Sequence, residues 1–164
     1  MRALPCSALF VLACGGAQST SGSAQPPRPL DEARAMELAA EVFAEYGVTA
    51  EAQREVHLGT IDFGVDVSVQ GKPIGVELLT DFDRPTLERA LPAGGRSGQL
   101  RVIAVDERRR RGRMDVLFLD DRGYRYDPNP LESQGSATTI QEIEGRFRRD
   151  LRDFLEHERT AGNL

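Results

Sequence analysis

Apolar positions along the chain change period several times, and each change marks an element. Ala35, Leu38, Ala39, Val42, Phe43 and Tyr46 recur at the three-and-four spacing of a helix. Asp31 stands where it can cap that helix and Gly47 where it can end it. From Ile61 the period drops to two. Ile61, Phe63, Val65, Val67 and Val69 alternate with Asp62, Gly64, Asp66, Ser68 and Gln70, as in a half-buried strand. Gln70-Gly71-Lys72-Pro73 predicts a turn, and Ile74 to Thr80 the returning strand. A short helix is expected over 85–91, followed by a glycine-rich loop over 92–99. Two apolar runs, Leu100–Val105 and Met114–Leu119, flank the charged stretch Asp106–Arg113 and predict a second hairpin. Asp121-Arg122-Gly123 then turns the chain into Tyr124-Arg125-Tyr126, a fifth short strand. The chain closes with an amphipathic helix striped by Ile140, Ile143, Phe147, Leu151, Phe154 and Leu155. Thr138 or Thr139 is its expected N-cap, with Glu142 where a capping box places an acid.

The resulting order, α-β-β-α-β-β-(β)-α, predicts a single α+β domain. Its mainly antiparallel sheet of four or five strands carries the N- and C-terminal helices on one face. The expected domain spans 31–158, with 159–164 as a tail.

The first hairpin has an over-determined register. A loop of four residues centred on Gly71-Lys72 pairs Val69 with Ile74, Val67 with Val76 and Val65 with Leu78, giving one apolar face. A slip by one residue would move every apolar side chain to the wrong side. The same register sets Asp66 across from Glu77 and Asp62 across from Asp81, so four carboxylates are expected on the opposite face. Like charges directly opposite destabilise a sheet and call for a neutralising partner. Arginines from the basic turn or the last helix are the first expectation. A divalent cation held by the four oxygens-bearing side chains is the second.

Ahead of the domain, Arg2 is followed by a short apolar stretch, Ala3 to Ala13, too short to span a bilayer. It ends in Val11-Leu12-Ala13-Cys14, a string that resembles the lipobox of bacterial lipoproteins. The resemblance implies that residues 1–13 are a signal peptide, that Cys14 is acylated (palmitate among its acyl chains), and that the membrane is a partner through that anchor. It implies a bacterial cell envelope location. Gly15, and not Asp, follows the cysteine, which points to the outer membrane over the inner in bacteria that sort on that residue. Residues 14–30, rich in Gly, Ser, Thr, Gln and Pro, read as a flexible tether. With Cys6 in the signal and Cys14 lipidated, the domain has no thiol for a disulfide, a zinc site or a nucleophile.

Charge narrows the choices further. The chain has 21 basic and 26 acidic residues, a net of −5. An acidic domain is a poor partner for nucleic acid, whose binding rests on neutralising phosphates. The one basic run is Arg108-Arg109-Arg110-Arg111 with Arg113, and it is a candidate contact for anionic headgroups or an acidic partner. Tyr124 and Tyr126 lie on an edge strand, either packed under the last helix or exposed as candidate partner-binding aromatics. His57 and His157 lack a Ser or Cys partner in a nucleophile motif, and no phosphate loop or zinc spacing occurs. No cofactor is indicated.

One further resemblance attaches to the hairpin. An Asp on one strand and a Glu on the next, reached through Gly71-Lys72-Pro73-Ile74-Gly75-Val76-Glu77, looks like the core of the PD-(D/E)xK nuclease fold. That family holds Mg²⁺ on the acidic pair, which implies Asp66 and Glu77, and uses a Lys two residues after the Glu. Leu79 occupies that position here, and a hairpin follows where the family has a helix and then a strand. Taken together, the chain is expected to be a membrane-tethered envelope lipoprotein acting as a non-enzymatic protein-interaction or assembly module with an envelope protein partner. The alternative is a metal-binding protein or metal-dependent hydrolase using Asp62, Asp66, Glu77 and Asp81.

Overall fold

A computed structural model describes residues 25–92, 100–108, 112–130 and 137–164. In chain order the elements are β1 (Arg28–Pro29), α1 (Glu32–Glu45), β2 (Ala50–Leu58), β3 (Ile61–Val69), β4 (Ile74–Leu79), α2 (Arg84–Ala90), β5 (Arg101–Glu107), β6 (Arg113–Asp120), β7 (Arg125–Tyr126) and α3 (Ile140–Ala161). The fold is α+β, with terminal helices and a five-stranded, mostly antiparallel sheet. The sheet closes on itself in the order β2-β3-β4-β6-β5, and its one parallel pair is β4 with β6.

Both long helices begin where their sequences say they should. Asp31 accepts a hydrogen bond from the Arg34 N–H at 3.2 Å, satisfying one of the free donors of the first turn of α1. Thr139 and Glu142 form a reciprocal capping box at the start of α3. Each helix lays its apolar stripe on the sheet, joining Val67, Val69, Ile74, Val76, Leu78, Leu117 and Leu119 in one core. Along their shared edge the helices are laced by Arg34–Glu144 (2.8 Å), Arg148–Glu41 (2.9 Å) and Arg152–Glu45 (2.8 Å). α3 runs past 158. Gly162 in the left-handed conformation ends it, and Asn163 donates to the Glu158 carbonyl and carboxylate. Residues 159–164 are therefore the end of the helix and its cap, and Leu164 packs on the core.

The strand absent from the sequence reading is β2. Its buried positions are Arg54 and Val56, flanked by half-buried Ala50 and Leu58 and exposed Ala52, so two alanines and an arginine hide the alternation. At the other end of the domain, Arg28 and Pro29 pair with Tyr126 and Arg125, and Leu30 is buried in the main core. The expected fifth strand is thus present, but it pairs with the end of the tether and not with the barrel.

The larger departure is a second core. Val56, Val65, Leu79, Leu87, Leu91, Val105, Met114, Val116 and Phe118 cluster on the face of β4 and β6 turned away from α1 and α3, with α2 as the cover. β4 is buried along its whole length for this reason. The β2–β3 hairpin serves both cores from one apolar face: Val67 and Val69 belong to the first and Val65 to the second. The changeover falls at Gln53 and Asp66. Gln53 has φ 35°, a conformation uncommon for a residue with a Cβ, and the ladder pairs Ala52 with Val67 and Arg54 with Val65 on either side of it. Folding over at this corner carries β2 to β5, where Val56 pairs with Glu107 and His57 with Asp106 to close the barrel.

Candidate functional site: an acidic cleft at a strand seam

The expected hairpin register holds at Val67–Val76 and Ser68–Gly75. Beyond it the β3–β4 ladder stops, where the β2–β3 hairpin folds over to bring β2 to β5. Asp66 and Glu77 face each other at that point and take over the task of the backbone carbonyls. The Asp66 N–H donates to Glu77 Oε2 at 3.1 Å, and the Leu78 N–H donates to Asp66 Oδ2 at 2.7 Å. A buried backbone donor left without an acceptor would cost about 1–3 kcal/mol, so each carboxyl stabilises the strand opposite its own.

These carboxyls lie in poor solvent. Glu77 is 3% exposed and Asp66 half-buried, and among the described residues neither is paired with an arginine or lysine. Burial first, and then the neighbouring Asp66 charge, push Glu77 up to about 9. Burial pushes Asp66 up to about 6, with Glu32 and Asp83 adding to the effect. Both carboxyls therefore hold their protons to higher pH than free ones, Glu77 the more strongly. The expected arginine partners are absent here, and protonation relieves the like-charge pair instead.

The pair lies in the wall of a cleft of about 1160 Å³. Glu32 of α1, Glu51 and Glu55 of β2, Asp62 of β3, Asp83 before α2 and Glu107 of β5 line the rest of it, so acids converge from five elements. Two arginines dilute them. Arg54 is sunk into the wall, donating to Glu51 (2.8 Å), Glu107 (3.3 Å) and the carbonyls of Val69 (3.0 Å) and Lys72 (2.6 Å). It is a strut that holds β2, β3 and β5 together. Arg108 pairs with Asp62 at 3.5 Å. Phe82, between Asp81 and Asp83, also lines the cleft with its ring 90% exposed.

The four-carboxylate face divides accordingly. Asp66 and Glu77 come together, whereas Asp62 meets His57 Nδ1 at 2.6 Å, and that bond holds its carboxyl below the usual range. Asp81 pairs with Arg84, which also binds Asp120 (3.1 Å) and Asp121 and so ties the start of α2 to the end of β6. Among the described residues no three His, Cys, Asp or Glu side chains are grouped to hold a metal ion. Leu79, in the position where the nuclease fold has lysine, is 2% exposed in the second core. After α2 the chain forms the β5–β6 hairpin, as the sequence predicted, and not the helix-then-strand ending of that fold.

Of the other candidates, Arg108 reaches the cleft, while Cys14, Arg109, Arg110 and Arg111 lie outside the described residues. Of the two readings of Tyr124, packing under the last helix is the one found. Its ring is buried edge-on against Phe147 with its hydroxyl donating to Asp150 at 2.6 Å. Tyr126 is half-buried against the same core. His157 is exposed on α3. The sequence reading overlooked Phe82, although a lone aromatic among turn-forming acids was a signal for an exposed ring. No protein family, curated protein or solved structure matches the chain, and the chemistry of the cleft is read from its own residues.

Proposed function

We propose that this protein is a bacterial envelope lipoprotein, anchored through Cys14, whose domain is a non-enzymatic module that binds a cationic segment of a protein partner. The observation that carries this reading is the cleft. Acids from five elements face one space, its two arginines are already engaged with Glu51, Glu107 and Asp62, and an exposed phenyl ring stands at the same place. Charged walls steer an oppositely charged chain into register, and an aromatic anchor adds contact area that can be desolvated. The lipobox string and the Gly/Ser/Pro tether support the anchoring half of the proposal.

The metal-centre alternative has less behind it. Asp62 and Asp81 are each engaged by a basic side chain, and burial favours the neutral form of Glu77.

The test uses labelled oligo-arginine and oligo-glutamate peptides titrated against the protein at two salt concentrations. The arginine peptide should bind and weaken with salt. Phe82→Ser should weaken it further at unchanged charge, while Glu156→Gln, on the outer side of α3, should not. Equal binding of both peptides, or equal effects of Phe82→Ser and Glu156→Gln, would overturn the reading.

A further inference from the structure

We propose that Asp66 and Glu77 form a titratable latch across the β3–β4 seam, holding the strands together while at least one of them is protonated and letting the seam part toward the cleft when both are ionised. The geometry carries this. The two carboxyls are the only described groups that bridge β3 to β4 at the point where the backbone ladder stops, and each accepts an N–H of the strand opposite it. Ordinary strand pairing does not titrate, because amides and carbonyls keep their charge at all ordinary pH values. Here two ladder bonds have been handed to titratable groups. One negative charge at this site is tolerable, since it receives an amide proton. Two charges facing each other across the seam, with Glu77 buried and no described cation paired with either, repel along the direction that separates the strands.

The surroundings do not compensate. Glu32 from α1 and Asp83 from the approach to α2 both face the pair with negative charge. From the strands the cleft adds Glu51, Glu55, Asp62 and Glu107, against Arg54 and Arg108, which are engaged with Glu51, Glu107 and Asp62. The ladder is irregular at this corner: Gln53, at φ 35°, lies across β3 from this point, where the hairpin already bends. Beneath the seam lies the second core, so parting it would widen the cleft toward Val65 and Leu79.

The sign follows from linkage. Both carboxyls have folded-state values above those of an unfolded chain, Asp66 about 6 and Glu77 about 9. The stability they contribute is complete in acid and is lost as pH rises, first through 6 and then through 9. In the window between, the folded chain holds one proton more than the unfolded one, and the folding constant falls about tenfold per pH unit.

The experiment measures unfolding by denaturant from pH 6.5 to 8.5, together with hydrogen exchange at the Asp66 and Leu78 amides. Staying below pH 9.5 keeps the buried Tyr124 hydroxyl out of play, since burial and Asp150 raise it. The intact protein should lose about a hundredfold in folding constant across those two units. Glu77→Gln keeps an acceptor for the Asp66 N–H but cannot ionise, so its profile should be nearly flat. In the intact protein, protection at Asp66 and Leu78 should fall with pH faster than at barrel amides such as Leu117. Parallel profiles for the two proteins would overturn the latch. So would protection lost equally at seam and barrel, a result that needs no variant to fold.

Discussion

Gly75→Ala is the sharpest probe of how the second core is built. Gly75 lies in β4 between Ser68 of β3 and Val116 of β6, and it has no unusual backbone conformation to protect. A Cβ added there would stand 2.3 Å from Met114 Cε and 2.8 Å from Val65 Cγ1. The methionine end can swing away, because it has three rotatable bonds. The valine cannot do so as easily: its branched Cβ leaves few rotamers, and its backbone is where the hairpin begins to fold over. Inserting a methyl group into a packed core costs about 1–3 kcal/mol, offset by about 0.5–1 kcal/mol because alanine loses less backbone freedom than glycine in a strand. A net loss of about 1–2 kcal/mol is expected, a fall of roughly 4–8 °C in Tm for a domain of this size. Gly64→Ala is the control, since nothing lies within 4 Å of its Cβ position and only the backbone gain remains. Denaturant unfolding of both variants should separate them by 2 kcal/mol or so. If Gly75→Ala were as stable as Gly64→Ala, Val65 would not be folded over β4 and the two-core description would be wrong.

Other expectations concern the anchor, the clamp and the carboxyl face. Cys14→Ser should leave an unprocessed chain and abolish lipid labelling; labelling with an alkyne fatty acid and fractionation check this, and continued cleavage with undiminished membrane attachment would refute it. Arg84→Ala should cost about 3 kcal/mol, because buried Asp121 loses its partner, and Arg84→Lys should not recover it fully, since one ammonium cannot replace a fork that reaches Asp81, Asp120 and Asp121 together. Added Mg²⁺, Mn²⁺ or Ca²⁺ should leave Tm unchanged, whereas a site filled at a hundredfold excess over its Kd would add about 2.7 kcal/mol. A cation-specific rise in Tm abolished by Glu77→Gln would revive the metal reading. Asp66→Asn should be neutral or mildly stabilising at pH 7.5, because it removes the one remaining charge of the pair; a loss above 1 kcal/mol would contradict that.

Local signals were enough for much of this chain. The helix period of α1 and α3, the capping acid Asp31 and the Thr139–Glu142 box act within a few residues, so they can be read without knowing what lies across the fold. The register of β3 with β4 was also legible, because alternation has a period of two and burial tolerates no slip; that register alone sets Asp66 opposite Glu77. Tertiary structure decided what depends on distant partners. Whether a carboxylate face is solvated or covered turns on a hairpin folding over at Gln53 and Asp66, and on α2 closing the far side of β4 and β6. β2 escaped notice because Arg54 is buried by Glu51, Glu107 and two carbonyls, contacts that do not exist in the sequence as a pattern. For the same reason the state of the acidic pair could not be read from spacing. Proximity follows from register, but whether an arginine or a proton answers the charge depends on which side chains the completed barrel leaves within reach.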